Sequence, residues 1–259
     1  MAEFTQQDLS GSRFEQVDLR GSTFTDVYLN DIVVRDAILS GMRVNEAILD
    51  DVEINAEIRN VRINGVDVAP LVEAELDRRY PQRPKMRPTT AAGFVEAWEI
   101  LGRLWAGTID RARTLPPAML HESVDGEWSF IQTLRHLSFA TAAWVGRGIL
   151  GDLTPWHPLD LPWDGMPDKP GIPRDREARP DLDTVLALRA ERRAMVASVL
   201  EGLTDERLAS LITPPPGDSW PPSEEMPLSE PLRVVLNEEW QHRLYAERDL
   251  DELERRVRA

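Results

Sequence analysis

The sequence predicts two domains: a square-sectioned coil of short repeats, then an all-α four-helix bundle. Three observations predict this. Apolar residues recur every five positions through the first part of the chain. The period becomes helical after residue 90. All eight tryptophans lie beyond residue 97.

The repeat comes first. Phe4, Leu9, Phe14, Leu19, Phe24, Leu29, Val34, Leu39, Val44, Leu49 and Ile54 stand five apart. Two residues before each is a second series, from Ala2 to Val52, small or apolar except at Gln7. The register slips by one between Ile54 and Ile58 and resumes at Ile63. A period of five belongs to neither a helix nor a flat strand. It suits a coil whose five-residue sides each turn one large and one small residue inward. The units "QDLSG", "VDLRG" and "AILSG" resemble those of the pentapeptide-repeat family, over residues 2–66. That resemblance implies a right-handed quadrilateral β-helix of about three coils, whose ends need capping. Residues 1–67 form this first domain.

Residues 68–90 are read as a cap and linker. Pro70 suits a first helical turn. Leu71, Ala74 and Leu76 give the helix over residues 70–79 an apolar face that closes the open coil. Prolines at 81, 84 and 88 then mark a linker.

Four amphipathic helices are predicted in residues 91–259. The first covers 91–114, with Phe94, Trp98, Leu101, Leu104 and Trp105 on one stripe. The second covers 130–150; Ser129 before it and Gln132 three residues on form a capping box. The third covers 182–202, ended by Gly202. The fourth covers 230–258, carrying Leu232, Val235, Leu236, Trp240 and Leu244. Long proline-rich loops separate the second helix from the third and precede the fourth. Helices of this length suggest an antiparallel bundle, and loops this long are often lids or binding walls.

Composition narrows the function. A net charge of -15 repels nucleic-acid phosphate, so no nucleic-acid partner is expected. The longest mostly apolar stretch, residues 137–150, is too short to span a bilayer, and no membrane partner is expected. Residues 1–7 are polar and do not read as a signal peptide. Cysteine is absent, which excludes disulfides, thiolate metal sites and cysteine nucleophiles. The expected location is the cytoplasm. Walker, dinucleotide-binding, nucleophile-elbow and His-Glu-x-x-His motifs are missing.

Four histidines remain: His121, His136, His157 and His242. In "NEEWQHRLYAERDL" (residues 237–250), Glu238 and His242 lie one helical turn apart. His136 faces inward on the second helix with Gln132, Phe139 and Ala143. Facing helices of a bundle can bring His136 to the Glu238/His242 pair. Two imidazoles and a carboxylate suit Zn, Ni, Fe or Mn. Glu239 is a geometric alternative to Glu238. His157, in the long loop, is a candidate fourth ligand or substrate contact; His121 is expected to be solvent-exposed.

"WSFIQTLRHL" (128–137), "WHPLDLP" (156–162) and "LNEEWQHRLYAERDLDELE" (236–254) together resemble the DinB-like family of four-helix bundles, in its actinobacterial branch. The resemblance covers residues 88–258. It implies a divalent metal held by three histidines, one on the second helix and two on the last. His136 and His242 match the first and third positions, and Glu238 occupies the middle one. It also implies chemistry with low-molecular-weight thiols such as mycothiol or bacillithiol. His136, Glu238 and His242 would then be ligands, and Tyr245 or His157 a proton donor or orienter.

Two classes of function stay open. One is a metal-dependent, thiol-dependent transferase or hydrolase acting on a small molecule. The other is a non-catalytic protein- or ligand-binding protein, with the repeat as a docking or homodimerisation module. Some pentapeptide-repeat proteins are acidic rods that imitate DNA and bind topoisomerases. Residues 1–67, with 13 acidic and 6 basic side chains, have the right sign for this but are short for it.

Overall fold

The computed structural model describes residues 3–35 and 37–258. Ala2, the first of the small-residue series, lies outside them. The chain divides into two compact units, Met1–Glu57 and Ile58–Ala259.

In the first unit the period of five appears as corners. Gln6, Gly11, Gln16, Gly21, Asp26, Asp31, Gly41, Glu46 and Asp51 all take positive φ, on a five-residue grid. The amides of Ser12 and Ser22 donate to the carbonyls of Leu9 and Leu19, both at 3.1 Å. These are tight turns with glycine third, the position where a type II turn needs positive φ. The expected inward burial is not formed. Every described residue up to Glu57 is exposed, with Phe14 at 60% and Phe24 at 61%. No strand occurs among the described residues before Arg62. A coil this short has few coil-to-coil surfaces against which to bury its apolar centres.

The second unit opens with a hairpin. β1 (Arg62–Ile63) pairs antiparallel with β2 (Val66–Asp67). Asn64 and Gly65 between them both have positive φ, as a two-residue hairpin turn prefers. α1 (Ala69–Arg79) follows. The stretch read as a linker is ordered: Arg83–Met86 forms a 3-10 turn. Arg83 pairs with Glu73 at 2.8 Å and Asp77 at 2.6 Å. Met86 is buried in the helical core, and the Tyr80 ring meets Trp240 edge-on at 6.2 Å.

Four long helices follow: α2 (Ala91–Ala112), α3 (Phe130–Thr141), α4 (Leu182–Leu200) and, after the short α5 (Asp205–Ala209), α6 (Ser229–Arg258). α2, α4 and α6 share the cluster that holds Met86, and α3 packs with parts of all three in a second cluster around Leu134 and Leu250. A second small hairpin pairs β3 (Leu211–Ile212) with β4 (Met226–Pro227). α6 packs on α2 and α3, and α3 on α4. The helix starts are capped by their own side chains, Thr90 for α2 and Asp181 for α4. At α3, Ser129 and Gln132 exchange both bonds of the capping box. Gly202, just past α4, has φ +67°.

The second predicted helix changes character midway. Its α-helical part ends at Thr141, and Ala142–Ile149 continues as a π-helix, a feature frequent at functional sites. Gly146 lies in it because the long loop comes close: a Cβ there would sit 2.9 Å from the Pro155 Cβ.

Both proline-rich loops are tied down by buried arginines. Prolines deprive a loop of N–H donors, so its carbonyls need donors from elsewhere. Arg135, fully buried, donates to the carbonyls of Leu159 (2.8 Å), Ala178 (3.3 Å) and Asp175. Arg192 donates to the Pro155 carbonyl at 2.9 Å and to Asp160 at 3.1 Å. Arg147 holds the second loop through the carbonyls of Pro215 and Pro216. Among the described residues no helix is long and apolar enough to cross a membrane.

Candidate metal centre

α3 and α6 meet at three side chains. His136 lies at the middle of α3 and His242 near the middle of α6, with Glu238 one turn before it. Glu238 Oε2 lies 3.3 Å from His136 Nε2 and 3.1 Å from His242 Nε2. One ligand atom from each side chain lies within 4.8 Å of the others.

The loop sets the tautomer of His136. Its Nδ1 is 3.0 Å from the Leu161 carbonyl, which can only accept, so Nδ1 carries the hydrogen. When the ring is neutral, Nε2 then presents a bare lone pair to Glu238. Burial pushes the His136 imidazole below its ordinary value, against the pull of Glu238. Burial also works to raise the Glu238 carboxyl, but hydrogen bonds from the two histidines outweigh it and hold the group below the usual carboxylate range. With Nδ1 committed to Leu161, the His136 Nε2 can donate to Glu238 only while the ring is protonated; in the neutral ring its lone pair faces the carboxylate, and a metal ion between them removes the repulsion. A carbonyl behind a ring nitrogen is also the usual support of a metal-ligating histidine. The donor set fits a divalent ion.

Aromatic rings enclose the triad. Trp128, just ahead of α3, lies 4.5 Å from the His136 ring and stacks on His242 at 5.9 Å with 14° between planes. Its Nε1 donates to Asp164 at 3.2 Å. The Tyr245 ring meets His242 edge-on at 5.8 Å. A cleft of about 220 Å³ opens beside the triad, lined by His136 and Glu238 and walled by Phe139, Trp144, Trp163 and Trp220.

The other candidate residues lie elsewhere. Glu239 points away from the triad: it is fully buried and pairs with Arg189 of α4 at 2.5 Å, so it is no alternative to Glu238. His157 belongs neither to the converging group nor to the cleft lining; its Nδ1 accepts from the Leu159 amide at 3.1 Å, closing a turn of the loop. Tyr245 touches His242 but does not line the cleft. His121 is half-buried in the 3-10 turn Pro117–His121, not exposed; burial and the nearby Arg179 and Arg135 lower its pKa.

The sequence reading missed Trp128, Asp160 and the loop-holding arginines. Asp160 is buried and takes the His157 amide at 2.8 Å as well as Arg192. Burial raises its carboxyl, although Arg192 pulls the other way. An available signal was charge at inward helix positions: Arg135 sits between Leu134 and His136, and Arg147 interrupts an apolar run.

A profile of the DinB superfamily matches residues 100–246, more than half of the chain. One of pentapeptide repeats matches residues 2–36 in eight copies. The chain belongs to the DinB superfamily and carries pentapeptide repeats at its N-terminus. No curated protein and no solved structure matches it.

Proposed function

We propose that this protein is a metal-dependent enzyme acting on a small molecule, as a thiol-dependent transferase or hydrolase. His136, Glu238 and His242 are its ligands. One observation carries the reading: two Nε2 atoms and one carboxylate oxygen converge beside an open cleft, with His136 oriented by Leu161. Two imidazoles and a carboxylate suit Zn, Ni, Fe or Mn. A divalent ion held there would supply a Lewis acid that lowers the pKa of a thiol or water. The chain's own residues do the rest. Leu161 fixes the ring of His136, Trp128 covers both imidazoles, and the indoles give the cleft apolar walls. Tyr245, at the edge of His242, is the nearer of the two candidate proton donors or orienters.

The test is metal content after incubation with Zn, Ni, Fe and Mn, in the wild type and in His136→Ala. Turnover of a low-molecular-weight thiol with an electrophilic acceptor follows. One equivalent of metal, lost in the variant, supports the site. Thiol turnover lost with it supports the activity.

A second reading rests on a different observation, the exposed apolar centres of the repeat unit. In it the repeat is a docking module that closes into a quadrilateral β-helix on a protein partner or on a second copy. Light scattering of the full chain and of a variant lacking residues 1–57 tests docking on a second copy. An unchanged number of chains per particle removes self-association.

A further inference from the structure

The cleft beside the triad has walls of an uncommon kind. The Trp163 and Trp220 rings lie 5.1 Å apart at 67°, and those of Trp144 and Trp220 6.0 Å apart at 84°. Steep angles make these indoles the sides of a box, not a stack. Phe139 stands 6.3 Å from Trp163. All three indoles are half-buried, so each keeps surface facing open space.

The negative faces of aromatic rings attract cations, tryptophan most strongly. At three rings elsewhere in the protein this demand is met internally. Arg193 lies over Trp98 at 4.5 Å, Arg243 over Trp240 at 5.7 Å and Arg248 over Tyr245 at 5.6 Å. No lysine or arginine lines the cleft, and the one charged group there is the Glu238 carboxylate. At about 30 Å³ per water, the cleft has room for roughly seven waters. That suits a trimethylammonium group on a short chain. A primary ammonium would bring N–H donors that indole faces do not satisfy; a quaternary one has none.

We propose that this cleft binds a small betaine: the quaternary ammonium end sits in the box of Trp144, Trp163 and Trp220, and the anionic end points toward His136 and His242. The box stands on the ring geometry alone. The direction of the anionic end rests on the metal-site reading, because an ion there offsets the charge of Glu238 and attracts an anion.

Glycine betaine and 3,3-dimethylbutanoate separate the terms, since they share shape and carboxylate and differ only in the charge of the quaternary centre. Both are titrated by calorimetry into the full-length protein, metal-depleted and zinc-loaded. The expected result is about tenfold or greater preference for the betaine in both states, with tighter binding of both when zinc is present. Trp220→Leu, which keeps apolar bulk but removes the ring, should abolish the preference. A preference seen without any zinc uptake upholds the box and removes the metal reading. Equal or reversed affinity of the two ligands in the wild type overturns the proposal, as does failure of both to bind at millimolar concentration.

Discussion

His136 and Glu238 face each other across two helices, ring nitrogen to carboxylate oxygen at 3.3 Å. The opposite nitrogen of His136 is already committed to the Leu161 carbonyl. The pair therefore needs a positive charge between its atoms, a proton or a metal ion. Burial disfavours the proton on His136.

The carboxylate at the middle position makes a specific prediction. Glu238→Ala should remove metal binding measured by calorimetry, because two imidazoles alone leave the site one donor short. Glu238→His should retain stoichiometric binding and shift preference toward Zn and Ni over Mn, imidazole being the softer ligand. Binding unaltered in Glu238→Ala would mean that this carboxylate is not a ligand.

Acid should weaken the metal-free protein through His136. Its folded pKa lies below the ordinary 6.5, so the unfolded chain takes up this proton first as pH falls. The stability it contributes is fully present above pH 6.5 and is lost as pH drops through the lower folded value. The melting temperature of His136→Gln should fall less steeply between pH 7.5 and 5 than that of the wild type. Parallel slopes would show that His136 does not titrate in this way.

The buried Asp160–Arg192 pair couples loop to site. Asp160→Ala leaves Arg192 buried without its counter-charge, which costs about 3–5 kcal/mol, readable by urea denaturation. Because Leu161 is the next residue, the variant should also bind metal about 10–100-fold more weakly, the usual effect of disturbing a ligand's support. Normal stability would remove the clamp; normal metal affinity would uncouple it from the site.

The four helices and the caps at Ser129 and Gly202 were legible because they rest on local patterns that tertiary packing reinforces. So was the pairing of His136 with Glu238 and His242, which needs only inward faces on two helices and a family resemblance. Glu239 illustrates what was not legible. It stands beside Glu238, but one residue turns a helix by 100°, and only packing shows that its side belongs to Arg189. The loops were opaque for a related reason. Arg135 and Arg192 bind backbone carbonyls, which carry no side-chain signature. In the repeat, the corners follow from local turn chemistry, whereas burial of Phe14 and Phe24 depends on surfaces that a five-residue period cannot specify.

Two glycines should respond oppositely to alanine. Gly146→Ala places a methyl 2.9 Å from the ring of Pro155, which cannot swing aside, and should destabilise by about 1–3 kcal/mol. Gly107 is exposed within α2, with nothing within 4 Å of an added Cβ. Gly107→Ala should therefore stabilise by about 0.8–1.0 kcal/mol. Thermal melts of the two variants check both signs at once.

The most direct measurement is the metal stoichiometry of the full-length protein after equilibration with Zn, Ni, Fe and Mn and removal of loose ions, beside His136→Ala and His242→Ala. One tightly held ion per chain in the wild type and none in either variant is the expected result. A wild-type protein that retains no ion, or variants that retain it undiminished, would contradict a metal centre at His136, Glu238 and His242.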